Sequence, residues 1–224
     1  MVMKLNEADH AKVSAAIAAA ESSSNGEIIA IATEQSDAYH DVGLHYAVLA
    51  LFLVLGTFAA WPSLLGWYWT LPMGWSAEPT QRELLTLLLG IALLKFLVVL
   101  FLLKWMPLRL ALTPGTTKTR RVRRRAIALF KACAERRTVG RTGVLIYLSM
   151  GEHRAEIVAD EAITKVTTPE TWGEAMAALI VEVKAGRPAD GIVAAIQQVG
   201  VVLSEHFPRS AEDTNEIPDK LIEL

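Results

Sequence analysis

Two long apolar runs stand out from an otherwise mixed chain. Gly43 to Trp61 reads GLHYAVLALFLVLGTFAAW and holds no Asp, Glu, Lys or Arg. Leu84 to Met106 reads LLTLLLGIALLKFLVVLFLLKWM, with charges only at Lys95 and Lys104. At about 1.5 Å per helical residue each run reaches across roughly 30 Å of hydrocarbon. The pattern therefore predicts a transmembrane hairpin over 42–106, with spans near 43–61 and 84–106. The segment between them carries Trp67, Tyr68, Trp69 and Trp75, the residue types of a membrane–water boundary. A segment lying along the interface and an ordinary loop both fit it.

The pattern outside the spans is that of a soluble α/β fold. Asn6 and Asp9 offer a helix cap, and Val13, Ile17 and Ala20 supply a narrow apolar stripe. Asn25-Gly26 signals a turn, after which Glu27 to Thr33 reads as a mostly buried strand. Beyond the hairpin, Thr117 to Arg137 repeats Val122, Ala126, Leu129, Phe130 and Cys133 at helical spacing. Gly143 to Ser149 and Arg154 to Asp160 read as two strands joined by a turn at Met150–His153. Two amphipathic helices follow Pro169 and Pro188, and the acidic tail from Ser210 reads as loosely held. The strand at 27–33 cannot stand alone, because its backbone groups need partners. It is expected to join the strands beyond the hairpin. The fold class is then α/β, a small sheet covered by helices on both faces, with an inserted two-helix transmembrane hairpin. Residues 1–41 and 107–209 form the split domain, and 210–224 the tail.

Charge sets the orientation. The chain of 224 residues has a formal net charge of only -2, yet its bases are concentrated after the second span. Lys118, Arg120, Arg121, Arg123, Arg124 and Arg125 follow Lys104 and Arg109, whereas the linker between the spans holds Arg82 alone. The positive-inside rule puts that end, and with it both termini, in the cytoplasm. Residues 1–24 contain Glu7, Asp9, Lys12 and Glu21 and no apolar core, so no secretory signal is expected there. The single cysteine, Cys133, excludes an internal disulfide framework. It falls on an apolar helix face and reads as a packing residue. Anionic lipid headgroups are the simplest partner for the basic run, at roughly 1 kcal/mol per base near the surface, and nucleic acid is not expected. Lys95 lies near the middle of its span. It invites either a partner carboxylate or snorkelling to an interface, and the first span offers no acid.

The strings GEIIAIATEQSDAY, Arg141 to Ser149 and Glu152 to Ile163 together resemble the TPM-domain family. The tail HFPRSAEDTNEIPD is similar to its membrane-bound bacterial branch. The resemblance implies helices on both faces of a small sheet and a bacterial inner-membrane location. It also implies a mixed inheritance: acid phosphatase activity in some members, maintenance of complexes in others, and calcium in some. Soluble relatives usually carry acidic or Asn residues ahead of the glycine matching Gly143, where this chain has Arg141 and Thr142.

For chemistry, Asp37, Arg141, Glu152 and Asp160 form the candidate polar cleft, with Arg141 a salt-bridge partner for Asp37 or Asp160. The acids stand singly, and His10, His40, His45, His153 and His206 lack zinc-ligand spacing, so no metal site is expected. Calcium enters through the resemblance only. No nucleophile-elbow or phosphate-loop string occurs. The expected function is a non-enzymatic module that binds a protein partner or maintains a complex. The alternative is a weak phosphatase using a carboxylate-bound cation. Convergence of Asp37, Glu152 and Asp160 on one point would favour that alternative.

Overall fold

The computed structural model describes residues 5–73, 78–133, 142–168, 170–210 and 217–224. The chain forms two compact units: Met1–Asp37 with Gly115–Leu224, and Ala38–Pro114.

The first unit is built on a four-stranded sheet. β1 (Glu27–Thr33) pairs in parallel with β2 (Gly143–Ser149), which pairs antiparallel with β3 (Arg154–Ala159). A short β4 (Leu221–Glu223) adds in parallel to the free edge of β1, giving the order β3-β2-β1-β4. The expected union of residues 27–33 with the strands beyond the hairpin is thus present. The tail, expected to be loosely held, supplies the fourth strand through Leu221–Glu223. An open edge on a buried strand would leave unpaired N–H and C=O groups, and the tail satisfies them.

Alternation along the strands feeds two cores. Ile28, Ala30 and Ala32 with Val144, Ile146 and Leu148 face α1 (Glu7–Glu21), α8 (Thr171–Lys184) and α9 (Pro188–His206). Ile29, Ile31, Leu145 and Tyr147 face α6 (Gly115–Cys133) through Val122, Ala126 and Phe130. Burial on both sides explains why β1 and β2 read as continuous apolar runs. Helices therefore cover both faces, as the sequence implied. α1 starts where expected, with Asn6 and Asp9 closing a capping box. α9 is the central helix of its layer. A Cβ added to Gly191 would come within 2.7 Å of Leu179 O in α8, and one added to Gly200 within 2.8 Å of Ala20 Cβ in α1. A four-residue helix, α7 (Glu161–Thr164), follows β3.

The second unit contains α2 (His40–Ala60), α3 (Ser63–Met73), α4 (Gln81–Leu102) and α5 (Met106–Leu112). α2 and α4 pack together and are both long and apolar enough to cross a membrane. Most of their large side chains point outward; Phe101 is 71% exposed and Leu89 69%. A soluble core helix would bury those rings and branches. The linker after α2 is helical, with Tyr68 set edge-on to Phe58 at 5.7 Å. The second apolar run breaks at Leu103–Trp105 and restarts as α5 with Pro107 in its first turn. Arg109 on α5 is buried. It donates through Nε to Leu103 O at 2.6 Å and through Nη1 to Ala38 O, with Nη1 3.3 Å from His40 Nδ1. One guanidinium thus ties the start of α2 to the end of α4. Lys95 is exposed on α4 and makes no ion pair among the described residues.

Candidate functional site

The polar side chains of the α/β unit collect at the two opposite ends of β1 and β2. At the C-terminal end, Thr33, Ser36, Tyr147, Ser149 and Glu152 form a connected network. The buried Tyr147 hydroxyl lies 3.0 Å from Thr33 Oγ1 and 2.9 Å from Ser36 Oγ. Ser36 N–H donates to Glu152 Oε1 at 2.8 Å, and Ser149 Oγ donates to Glu152 Oε2. The turn that presents Glu152 is held by Met150 N–H to Thr33 O at 3.0 Å and Gly151 N–H to Glu34 O at 2.7 Å. Its left-handed residue is His153, φ 50°, rather than the preceding glycine. Beside this network Asp37 receives Arg121 Nη1 at 3.1 Å and Arg124 Nη2 at 3.4 Å.

At the N-terminal end stand Glu21, Glu27, Asp160 and Asp219. Gly143 N–H donates to Asp160 Oδ2 at 3.3 Å, and Ile217 N–H to Glu27 Oε2 at 3.3 Å. Thr142 Oγ1 donates to Asn25 O at 2.9 Å. Glu21, buried at the end of α1, accepts the otherwise free Ile28 N–H at 2.7 Å. Burial pushes the Glu21 carboxyl up to about 9; repulsion from Glu27 and Asp219 adds to the rise, and the Ile28 N–H opposes it. Glu21 is therefore neutral at pH 7. Its Oε2 has no partner at ordinary hydrogen-bond distance, so its contact with Asp219 is a loose one.

The proposed polar cleft is thus divided. Asp37 and Glu152 share the C-terminal end, whereas Asp160 sits at the start of β2, about 20 Å away by strand rise. Antiparallel pairing of β2 with β3 returns residue 160 to the level of Gly143. Arg141 lies outside the described residues. Among the described residues no three His, Cys, Asp or Glu side chains converge as metal ligands.

The basic helix face divides as well. Arg120, Arg123, Arg124 and Arg125 are exposed and Lys118 is half-buried, but Arg121 is only 12% exposed and is committed to Asp37. Burial raises the Glu156 carboxyl on β3, with Arg123 and Arg154 offsetting part of the rise, so Arg123 also acts on the sheet. Glu21 and Asp219 escaped the sequence reading. Glu21 follows Val13 and Ile17 at four-residue steps, which placed its carboxyl on the buried stripe of α1.

This is a mixed-sheet α/β module, split in sequence by an apolar helical insertion and carrying polar groups at both sheet ends. The model of the TPM-domain family matches residues 108–202 of this chain. The matched stretch takes in β2, β3, α6 to α8 and most of α9, and leaves out β1 and β4. Among solved structures, the chain is similar to the NMR structure of BA42 protein from the psychrophilic bacterium Bizionia argentinensis. The TM-score is 0.56 and identity 17%, covering 98% of this chain and 95% of that one. At that identity the likeness shows the fold. No curated protein matches the chain.

Proposed function

We propose that the protein is an integral protein of the bacterial inner membrane, of the membrane-bound TPM branch, with both termini cytoplasmic. Its TPM module serves as a non-enzymatic platform for a protein partner or for maintenance of a complex. The observation that carries the second part is the separation of the carboxylates. Asp37 is bound by two arginines, Glu152 by Ser36 and Ser149, and Asp160 by the Gly143 N–H, at opposite sheet ends. Hard cations and phosphoryl transfer need several oxygens aimed at one point. The outward apolar surface of α2 and α4 and the basic residues after them support the membrane part. Lys118, Arg120 and Arg125 remain to meet anionic headgroups.

Reporter fusions test the topology. Fusions at Met1 and Leu224 are expected to report cytoplasm and one near Ser76 the far side; a periplasmic signal from either terminus would refute it. The alternative, a weak metal-dependent phosphatase, is tested by phosphate release and calcium calorimetry on the purified chain. Hydrolysis of a generic phosphomonoester is expected to be no faster than for an Asp37→Ala, Asp160→Ala double variant. Micromolar calcium binding, with turnover that vanishes in that variant, would establish the enzyme instead.

A further inference from the structure

The membrane unit holds a groove that anchoring alone does not call for. It has a volume of about 280 Å³ and three walls: Tyr46, Ala50 and Leu53 of α2, Val99 of α4, and Leu108 and Leu112 of α5. All are hydrocarbon surfaces apart from the Tyr46 hydroxyl, which donates to Leu112 O at 3.0 Å. That bond fixes the third wall. Two packed helices alone leave a shallow furrow; α5, held to α2 by Tyr46 and to both helix ends by Arg109, converts it into a slot.

We propose that this slot binds one acyl chain of an anionic membrane phospholipid, an inference that rests on the membrane reading above. The occupant follows from size, surroundings and charge. Tyr46 to Leu53 spans two helical turns, about 10 Å. At a C–C bond of about 1.5 Å, a zigzag chain places roughly eight methylenes in that length. The slot opens among the exposed apolar side chains of α2 and α4, where the available molecules are lipid tails. Lys104 directly follows Leu103 in the slot wall, its Nζ 5.9 Å from the Phe101 ring centroid, next to the exposed Trp105. An ammonium beside an interfacial tryptophan is the group that a phosphate at headgroup depth would meet.

Carbonate washing of membranes comes first: release of the chain would overturn the membrane reading and this inference together. The retained full chain is then purified in detergent and loaded with phosphatidylglycerol or phosphatidylcholine of identical tails. Bound lipid is counted by native mass spectrometry. The wild type is expected to keep about one lipid per chain. Ala50→Phe, which fills the slot, should lower retention at least tenfold, while Ala59→Phe, an exposed apolar position outside it, leaves retention unchanged. Lys104→Gln is expected to abolish a preference for phosphatidylglycerol. Equal retention by the two phenylalanine variants overturns the slot while leaving the anchor intact. So does a chain that holds only detergent, or a slot covered by a second copy, read as a dimer that Ala50→Phe dissociates.

Discussion

Glu21→Gln is expected to stabilise the protein at neutral pH and to flatten its pH dependence. The folded chain holds a proton on Glu21 up to about pH 9, whereas the unfolded chain releases it near the ordinary value of 4.5. Stability from this group is therefore complete below about 4.5 and falls as pH rises through the window to about 9. At about 1.4 kcal/mol per unit, the loss by pH 7 is on the order of 3 kcal/mol. Glutamine reproduces the protonated acid: its carbonyl still accepts from Ile28, its amide donates toward Asp219, and it cannot ionise. Denaturant titrations of the full chain in micelles at pH 5, 7 and 9 should show the variants converging at low pH. They should diverge as pH rises, with the glutamine form the more stable. Parallel curves across that range would show that Glu21 is ionised in the folded state.

Arg109→Met should loosen the base of the helical hairpin. The change keeps much of the apolar stem but leaves Leu103 O and Ala38 O without their charged donor. Unsatisfied buried carbonyls cost about 1–3 kcal/mol each, so a loss of roughly 2–6 kcal/mol is expected for the pair. Lysine should not rescue it, because a single ammonium cannot reproduce the forked geometry that meets two carbonyls. A cysteine pair placed at Ala38 and Leu103 would report the effect as slower cross-linking in the variant. Unchanged cross-linking and thermal midpoint would mean that α2–α4 packing alone holds the ends together.

How much of this was legible depended on whether the signal was local. β1 and β2 were read at their observed limits because a seven-residue apolar run bounded by turn residues has few alternatives. Their union across the hairpin followed from the backbone's need for partners. β4 has three residues, no periodicity and an acidic, proline-containing neighbourhood; only the open edge of β1 makes Leu221–Glu223 a strand. The linker helix α3 and the restart at α5 were hidden inside stretches whose apolar character drowned their helical phase. The separation of Glu152 from Asp160 was already contained in the sequence. If 143–149 and 154–159 form a hairpin, Glu152 at the turn and Asp160 after the return strand must lie at opposite ends. Asp37 and Glu152 stand at the same sheet end, held by Arg121 and by Ser149 respectively.

The parallel register of Glu27 with Gly143 also orders events at the ribosome. More than a hundred residues separate the paired strands, and at about 5–20 residues per second their synthesis takes roughly 6–25 s. Throughout that interval β1 has no neighbour on either edge, and the whole apolar helical unit is synthesised before its partner strand exists. The α/β unit therefore cannot close its sheet until the apolar helices α2 and α4 have been made. A chain cut short inside the helical unit would display Ile28 to Ala32 as an open apolar strand.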